Sequence, residues 1–256
     1  MKASKPRVSH AVGSEDHARG GFSRIELMVV VAITFLVGAV AILPHFARAH
    51  SKSARISCVN NLKQIGTAYR IWANDHGDTF PSCASVTNGG WNEVASRPGN
   101  AGPYCWTIYR VISNELALAP AVLICPSDER QPATNFSAVT NNLCLSYFVG
   151  AYVSDTYPQN VLGGDRNVSP GSAPLEDFGY SPEDGRGNDV TITGPVCWSL
   201  KIHSANSLPG AGNILLGDGS SQQTSGENFW RIWVQPQVDY AAAHPTNSIP
   251  VRLIFP

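Results

Sequence analysis

Residues 27–46 form a run of twenty positions without a full charge. At about 1.5 Å of rise per residue, a helix of that length spans the roughly 30 Å of bilayer hydrocarbon. Val29, Val30, Val31, Ile33, Phe35, Leu36 and Val37 follow in close succession, so such a helix is apolar on every face, which seldom suits a buried helix of a soluble domain. Ala47-Arg48-Ala49 supplies an A-x-A pattern, and ordinary signal cleavage there would start the chain at His50. Signal h-regions, however, run only about 7–15 residues, and this run is longer. Pro44 falls late in it and is expected to kink the helix rather than end it.

The helical pattern then continues with a different character. Cys58, Leu62, Ile65, Tyr69 and Trp72 recur at helical spacing, while Lys63, Gln64 and Arg70 lie off that stripe. One amphipathic face follows, and it needs a partner surface. Gly77 suits the left-handed position that closes a helix, so one helix is expected over residues 22–77, reaching roughly 80 Å if straight.

Near Gly77 the composition breaks. Residues 1–77 carry ten Lys/Arg against four Asp/Glu, and residues 78–256 carry eight against fifteen, with sixteen of the eighteen prolines. Extended backbone and turns are therefore expected after residue 77. Short apolar runs at 106–112, 121–125, 143–149, 190–193 and 214–216 read as strands, and 116–118 as a brief helix. The Gly/Pro-rich stretches 81–103 and 154–188 read as long loops, and Asp218-Gly219 as a hairpin turn. The fold class expected is α+β: a long N-terminal helix, with a transmembrane half and an amphipathic half, packed on an antiparallel β-sheet head that occupies residues 78–256.

The head's acidic balance, without a basic cluster, argues against nucleic-acid binding. It contains no H-E-x-x-H, G-x-S-x-G or phosphate-binding glycine loop, so no enzyme activity, catalytic residue or cofactor is expected. Convergence of Asp165, Asp218 and His203 is the one catalytic arrangement left to consider. Asp184, Asn188 and Asp189 offer oxygen ligands for calcium, but Arg186 breaks the EF-hand pattern and a solvated loop is the simpler reading. Six cysteines, Cys58, Cys83, Cys105, Cys125, Cys144 and Cys197, lack a C-x-x-C pair and allow fifteen pairings; isolated buried thiols are equally compatible, and a free Cys58 on the helix would leave five that cannot all pair.

Gly20-Gly21-Phe22-Ser23-Arg24-Ile25-Glu26-Leu27 resembles the cleavage and methylation signature of type IV prepilins and type II secretion pseudopilins of bacteria. That resemblance implies a pilin-like fold with a leader, 1–21, removed by a prepilin peptidase between Gly21 and Phe22, and methylation of Phe22. It also implies a single-pass inner-membrane protein, leader in the cytoplasm and head in the periplasm or beyond. The expected role is structural, with other pilin or pseudopilin subunits and an inner-membrane secretion platform as partners. Glu26 takes the place of the carboxylate that aligns with a neighbouring subunit's amino group. An unpaired carboxylate bordering hydrocarbon costs about 2.5–3.5 kcal/mol or more, which makes such a partner physically reasonable. Arg24 departs from the pattern by replacing an apolar residue, and it can pair with Glu26 or reach lipid headgroups. The stretches 58–64, 125–128, 146–150 and 212–219 resemble segments in a subgroup of pilin-like secretion proteins. The alternative is a membrane-tethered binding module whose Trp91, Trp106, Trp198, Trp230 and Trp233 engage a glycan or another surface ligand.

Overall fold

The computed structural model describes residues 23–96, 99–153, 157–204, 210–226, 228–244 and 250–256, without the side chains of 40–51. The chain divides into two compact units, Met1–Ala47 and Arg48–Pro256. Helix α1, Arg24–Asp75, contributes to both. Its start follows from Ser23: the hydroxyl accepts from the Ile25 and Glu26 amides at 3.2 and 3.5 Å, and its carbonyl accepts from Leu27 at 3.0 Å. Those bonds occupy amide donors that a first turn otherwise leaves without partners, and Glu26 sits in that turn, where the helix dipole favours a carboxylate.

In the first unit, the large apolar residues of α1 from Ile25 to Val37 are exposed. Among the described residues, no helix carries a stretch long and apolar enough to cross a membrane. The expected span, 27–46, extends into positions whose side chains lie outside the described residues.

The second unit is α+β, as expected. The stripe Cys58, Leu62, Ile65, Tyr69 and Trp72 is buried along its whole length, together with Ala68 and Ala73. The helix closes with His76 and Asp78 amides donating to the Ala73 carbonyl, and Gly77 takes the left-handed conformation expected of it, at φ 66°.

The sheet has six antiparallel strands. These are β1 Tyr147–Gly150, β2 Val161–Asp165, β4 Asn188–Thr191, β6 Ala211–Leu216, β7 Ser221–Ser225 and β8 Arg252–Phe255, in the spatial order β4-β8-β1-β2-β6-β7. A separate ribbon pairs β3 Val168–Pro170 with β5 Val196–Trp198. Period-two alternation divides the interior in two. Tyr147, Val149, Leu162, Leu215 and Ile254 pack with the α1 stripe. Phe148, Val161, Ile214, Leu216, Leu253 and Phe255 pack with Trp198, Phe229 and Val234 from the ribbon and from a π-helical turn, Phe229–Val234. Both faces of the sheet are thereby covered.

Several local expectations are corrected. The run at 106–112 is helical: α3, Cys105–Val111, follows a short α2, Asn92–Ala95. Cys105, Ile108, Tyr109 and Ile112 are buried at three- and four-residue intervals, a period that apolar content alone does not reveal. The run at 121–125 begins as a 3-10 helix, Pro120–Leu123, because Pro120 presets φ for a helical first turn. Residues 116–118 form a turn with Ala117 and Leu118 at φ 51° and 55°, not a helix. The stretch 81–103 holds α2 and two 3-10 turns, and 154–188 contains β2 and β3. A helix α4, Gln235–Ala243, was also unforeseen.

Candidate functional site at the helix start and the helix–sheet junction

The first candidate region is the N-terminal signature. Gly21 and Phe22, the expected cleavage pair, lie outside the described residues. Glu26 is exposed in the first turn of α1, with Ser23 capping the same turn.

Each of the three possible calcium ligands is engaged by groups of the protein itself. Both Asp189 oxygens bind the Arg252 guanidinium, and one also accepts from the Gly99 and Ala101 amides at 2.9 and 3.2 Å. Asp184 bonds to Arg186, which holds its carboxyl below the ordinary value through the backbone amide and the guanidinium together. Asn188 accepts from the Asp189 amide through its side-chain oxygen. Asp218 occupies the β6–β7 turn, accepting from the Ser220 amide at 2.8 Å beside Gly219 at φ 82°, as a hairpin turn requires.

The second region is buried, and it lies between α1 and the sheet. Cys58, on the buried stripe of α1, forms a disulfide with Cys125, whose Cα is 5.1 Å away. Neither of the two readings of Cys58 as an isolated thiol holds; Cys83, Cys105, Cys144 and Cys197 are the thiols. Asn61, one turn further along α1, donates to the Ile124 carbonyl at 2.9 Å and to the Tyr147 hydroxyl at 3.3 Å, so the segment entering Cys125 is held on both sides.

Next to the disulfide stand Asp165, at the end of β2, and His203. His203 Nε2 lies 3.3 Å from Asp165 Oδ2 and 3.4 Å from Cys125 Sγ. Asp165 Oδ2 accepts from the Asn213 backbone and side-chain N–H groups at 2.7 and 2.9 Å, whereas Oδ1 is buried without a hydrogen-bond partner. Arg55 of α1 donates to the Asn213 side-chain oxygen at 3.4 Å and to the Gly212 and Thr224 carbonyls at 3.2 and 2.9 Å. Burial raises Asp165 to about 7, against the opposing effect of the Asn213 bonds and the Arg55 charge. Burial, reinforced by Arg55, lowers His203 to about 4. Both shifts favour the uncharged forms of the dyad.

A little further along, Asp128 forms a two-pronged pair with Arg166, both bonds at 2.8 Å, and the Arg166 guanidinium lies 3.4 Å over the Phe178 ring. Burial alone would raise Asp128, but the bonds from Arg166 outweigh it and hold the carboxyl below its ordinary value.

Asp165 and His203 therefore meet, and Asp218 does not join them. The sequence pattern offers no link between Cys58 and Cys125 beyond the placement of Cys58 on the buried face. Comparison of the chain with protein-family models, with curated proteins and with solved structures finds no match.

Proposed function

We propose that this chain is a structural, pilin-like subunit, processed by a prepilin peptidase and assembled into a type II secretion or type IV pilus-like filament. The observation that carries the reading is the environment of α1 between Ile25 and Val37. Five consecutive residues, Leu27, Met28, Val29, Val30 and Val31, are all exposed, and at about 100° per residue they sweep the full circumference of the helix. Covering such side chains with lipid or with neighbouring copies returns about 1.5–3 kcal/mol for each one fully buried. The same helix carries a buried stripe from Cys58 to Trp72, which ties it to the β-sheet head. An element that is apolar on all sides at one end and built into a head at the other is what a filament subunit needs. The resemblance of residues 20–27 to the prepilin signature supplies the processing step, with Glu26 set to receive the neighbour's amino group. A disulfide between α1 and the head fits export to an oxidising compartment.

The tethered-binder alternative asks for exposed tryptophans. Trp91 and Trp198 are fully buried, and Trp106, Trp230 and Trp233 are partly covered against the core, so the aromatic set favours the structural reading.

The test begins with protein isolated from its native host, examined by intact mass and N-terminal sequencing. A mature chain starting at N-methylated Phe22 is expected; a start at His50 overturns the proposal. In the same host, Glu26→Ala should abolish filament incorporation while the head remains folded, and normal incorporation counts against the assigned role of Glu26.

A further inference from the structure

Cys58, Cys125, Asp165 and His203 bring one ligand atom each to within 4.8 Å of one another. Both sulfurs belong to fully buried residues, and the His203 and Asp165 side chains are 1% and 0% exposed. In a tetrahedral zinc site, bonds of about 2.0–2.3 Å place ligand atoms roughly 3.3–3.8 Å apart. His203 Nε2 already stands at that spacing from Asp165 Oδ2 and from Cys125 Sγ, at 3.3 and 3.4 Å. The Asn213 bonds fix the carboxylate from behind, as the outer partners of metal-bound carboxylates do, and Asp165 Oδ1 remains without a partner.

We propose that these four side chains form a two-state centre: a disulfide when oxidised and, after reduction by a dithiol, a tetrahedral site for zinc or a similar divalent cation. The dithiol passes two electrons and two protons to the Cys58–Cys125 bond, giving two thiols and the reductant's own disulfide. Zinc then displaces both thiol protons, and the proton held by the Asp165 carboxyl, to solvent and takes two thiolates, the Asp165 carboxylate and neutral His203. Two thiolates and a carboxylate around a doubly charged ion leave one net negative charge. Arg55, whose charge acts on both Asp165 and His203, balances it. A donor set of two sulfurs, one imidazole and one carboxylate selects a borderline-soft ion over calcium or magnesium. This inference is independent of the filament role.

The test uses the full chain, reduced with a dithiol, desalted without oxygen and dialysed against zinc chloride, with metal per chain measured by mass spectrometry. One zinc per reduced chain and none per oxidised chain is expected, with cobalt giving the visible bands of a tetrahedral thiolate complex. His203→Gln and Asp165→Asn should each weaken zinc by about tenfold or more. If His203→Gln fails to fold by near-ultraviolet circular dichroism, His203→Cys decides, since it restores a ligand and must bind zinc. Three results overturn the proposal: no uptake by the reduced chain, unchanged affinity in folded His203→Gln, or full uptake by a Cys58→Ser, Cys125→Ser double variant. The last would show that the ion binds without the Cys58 and Cys125 thiolates.

Discussion

Two stretches of α1 can be set side by side. Between residues 25 and 37 the large apolar side chains are exposed on every face, whereas between 54 and 73 one apolar stripe is buried and only Ile56 and Ile71 stand exposed beside it. Both stretches are helical, so helix propensity does not distinguish them; their surroundings do. In the second stretch, packing is joined by a disulfide at Cys58, by Asn61 and by the Arg55 bonds to the Gly212 and Thr224 carbonyls. A helix thus becomes part of a head through a narrow apolar seam fixed by polar and covalent contacts, while an all-round apolar surface leaves its partners to be found elsewhere.

The largest expected effect concerns the covalent contact. Opening the Cys58–Cys125 bridge, which spans 67 residues of sequence, should destabilise the head by about 4 kcal/mol on chain-entropy grounds. Denaturant unfolding measures the loss, and amide exchange should quicken around 54–73 while 25–37 stays unchanged. Equal quickening in both stretches would break the comparison.

Next in size, Leu62→Ala should cost about 2–5 kcal/mol, because it removes a fully buried side chain from the seam. Leu36→Ala, at an exposed position, should alter head stability by no more than about 0.5 kcal/mol. Comparable losses would show that the first stretch also contributes to the head's cohesion.

Two glycines of the same helix should respond with opposite signs. A Cβ at Gly38 meets nothing within 4 Å, whereas one at Gly66 would lie 2.7 Å from Leu215 Cδ1 and 3.1 Å from the Gly219 backbone. Gly38→Ala should raise helix stability by about 0.5–1 kcal/mol. Gly66→Ala sets that same gain against overpacking of about 1–3 kcal/mol and should come out destabilising. Thermal unfolding of the two variants reads the difference directly.

Acid provides the most gradual test. Asp128 ionises below its ordinary range because Arg166 binds it. Its contribution is present above about pH 3.9, the unfolded value, and is lost as the pH falls through the lower folded value. Asp128→Asn should flatten the acid limb of the head's stability profile, and an unchanged slope would remove the pair from the account.

The helical seam was legible in the sequence because a 3.6-residue period leaves a clear mark, and Gly77 marked its end. Strands β1 and β6 were visible as apolar runs. Strand β2 was not, because Gly163 and Gly164 read as loop residues; a Cβ at Gly164 would fall 2.7 Å from the Asn213 carbonyl and 2.8 Å from the Phe148 ring, so close packing requires the absence of a side chain there. The polar edge strand β7, Ser221–Ser225, gives no hydrophobic signal at all. Cys58 with Cys125, and Asp165 with His203, meet only through tertiary contacts. Residue type raised convergence of Asp165 with His203, together with Asp218, but no local pattern joined them to Cys58 and Cys125.

The disulfide also sets how load would travel. Tension on α1 from its N-terminal side passes Ala54 and the Arg55 bonds and, at Cys58, the fifth position of the buried stretch, is met by an S–S bond. Peeling the remaining stripe from the sheet then requires breaking a covalent link, so the head is mechanically clamped where the force arrives. Reduction would turn that clamp into a zipper that opens one side chain at a time.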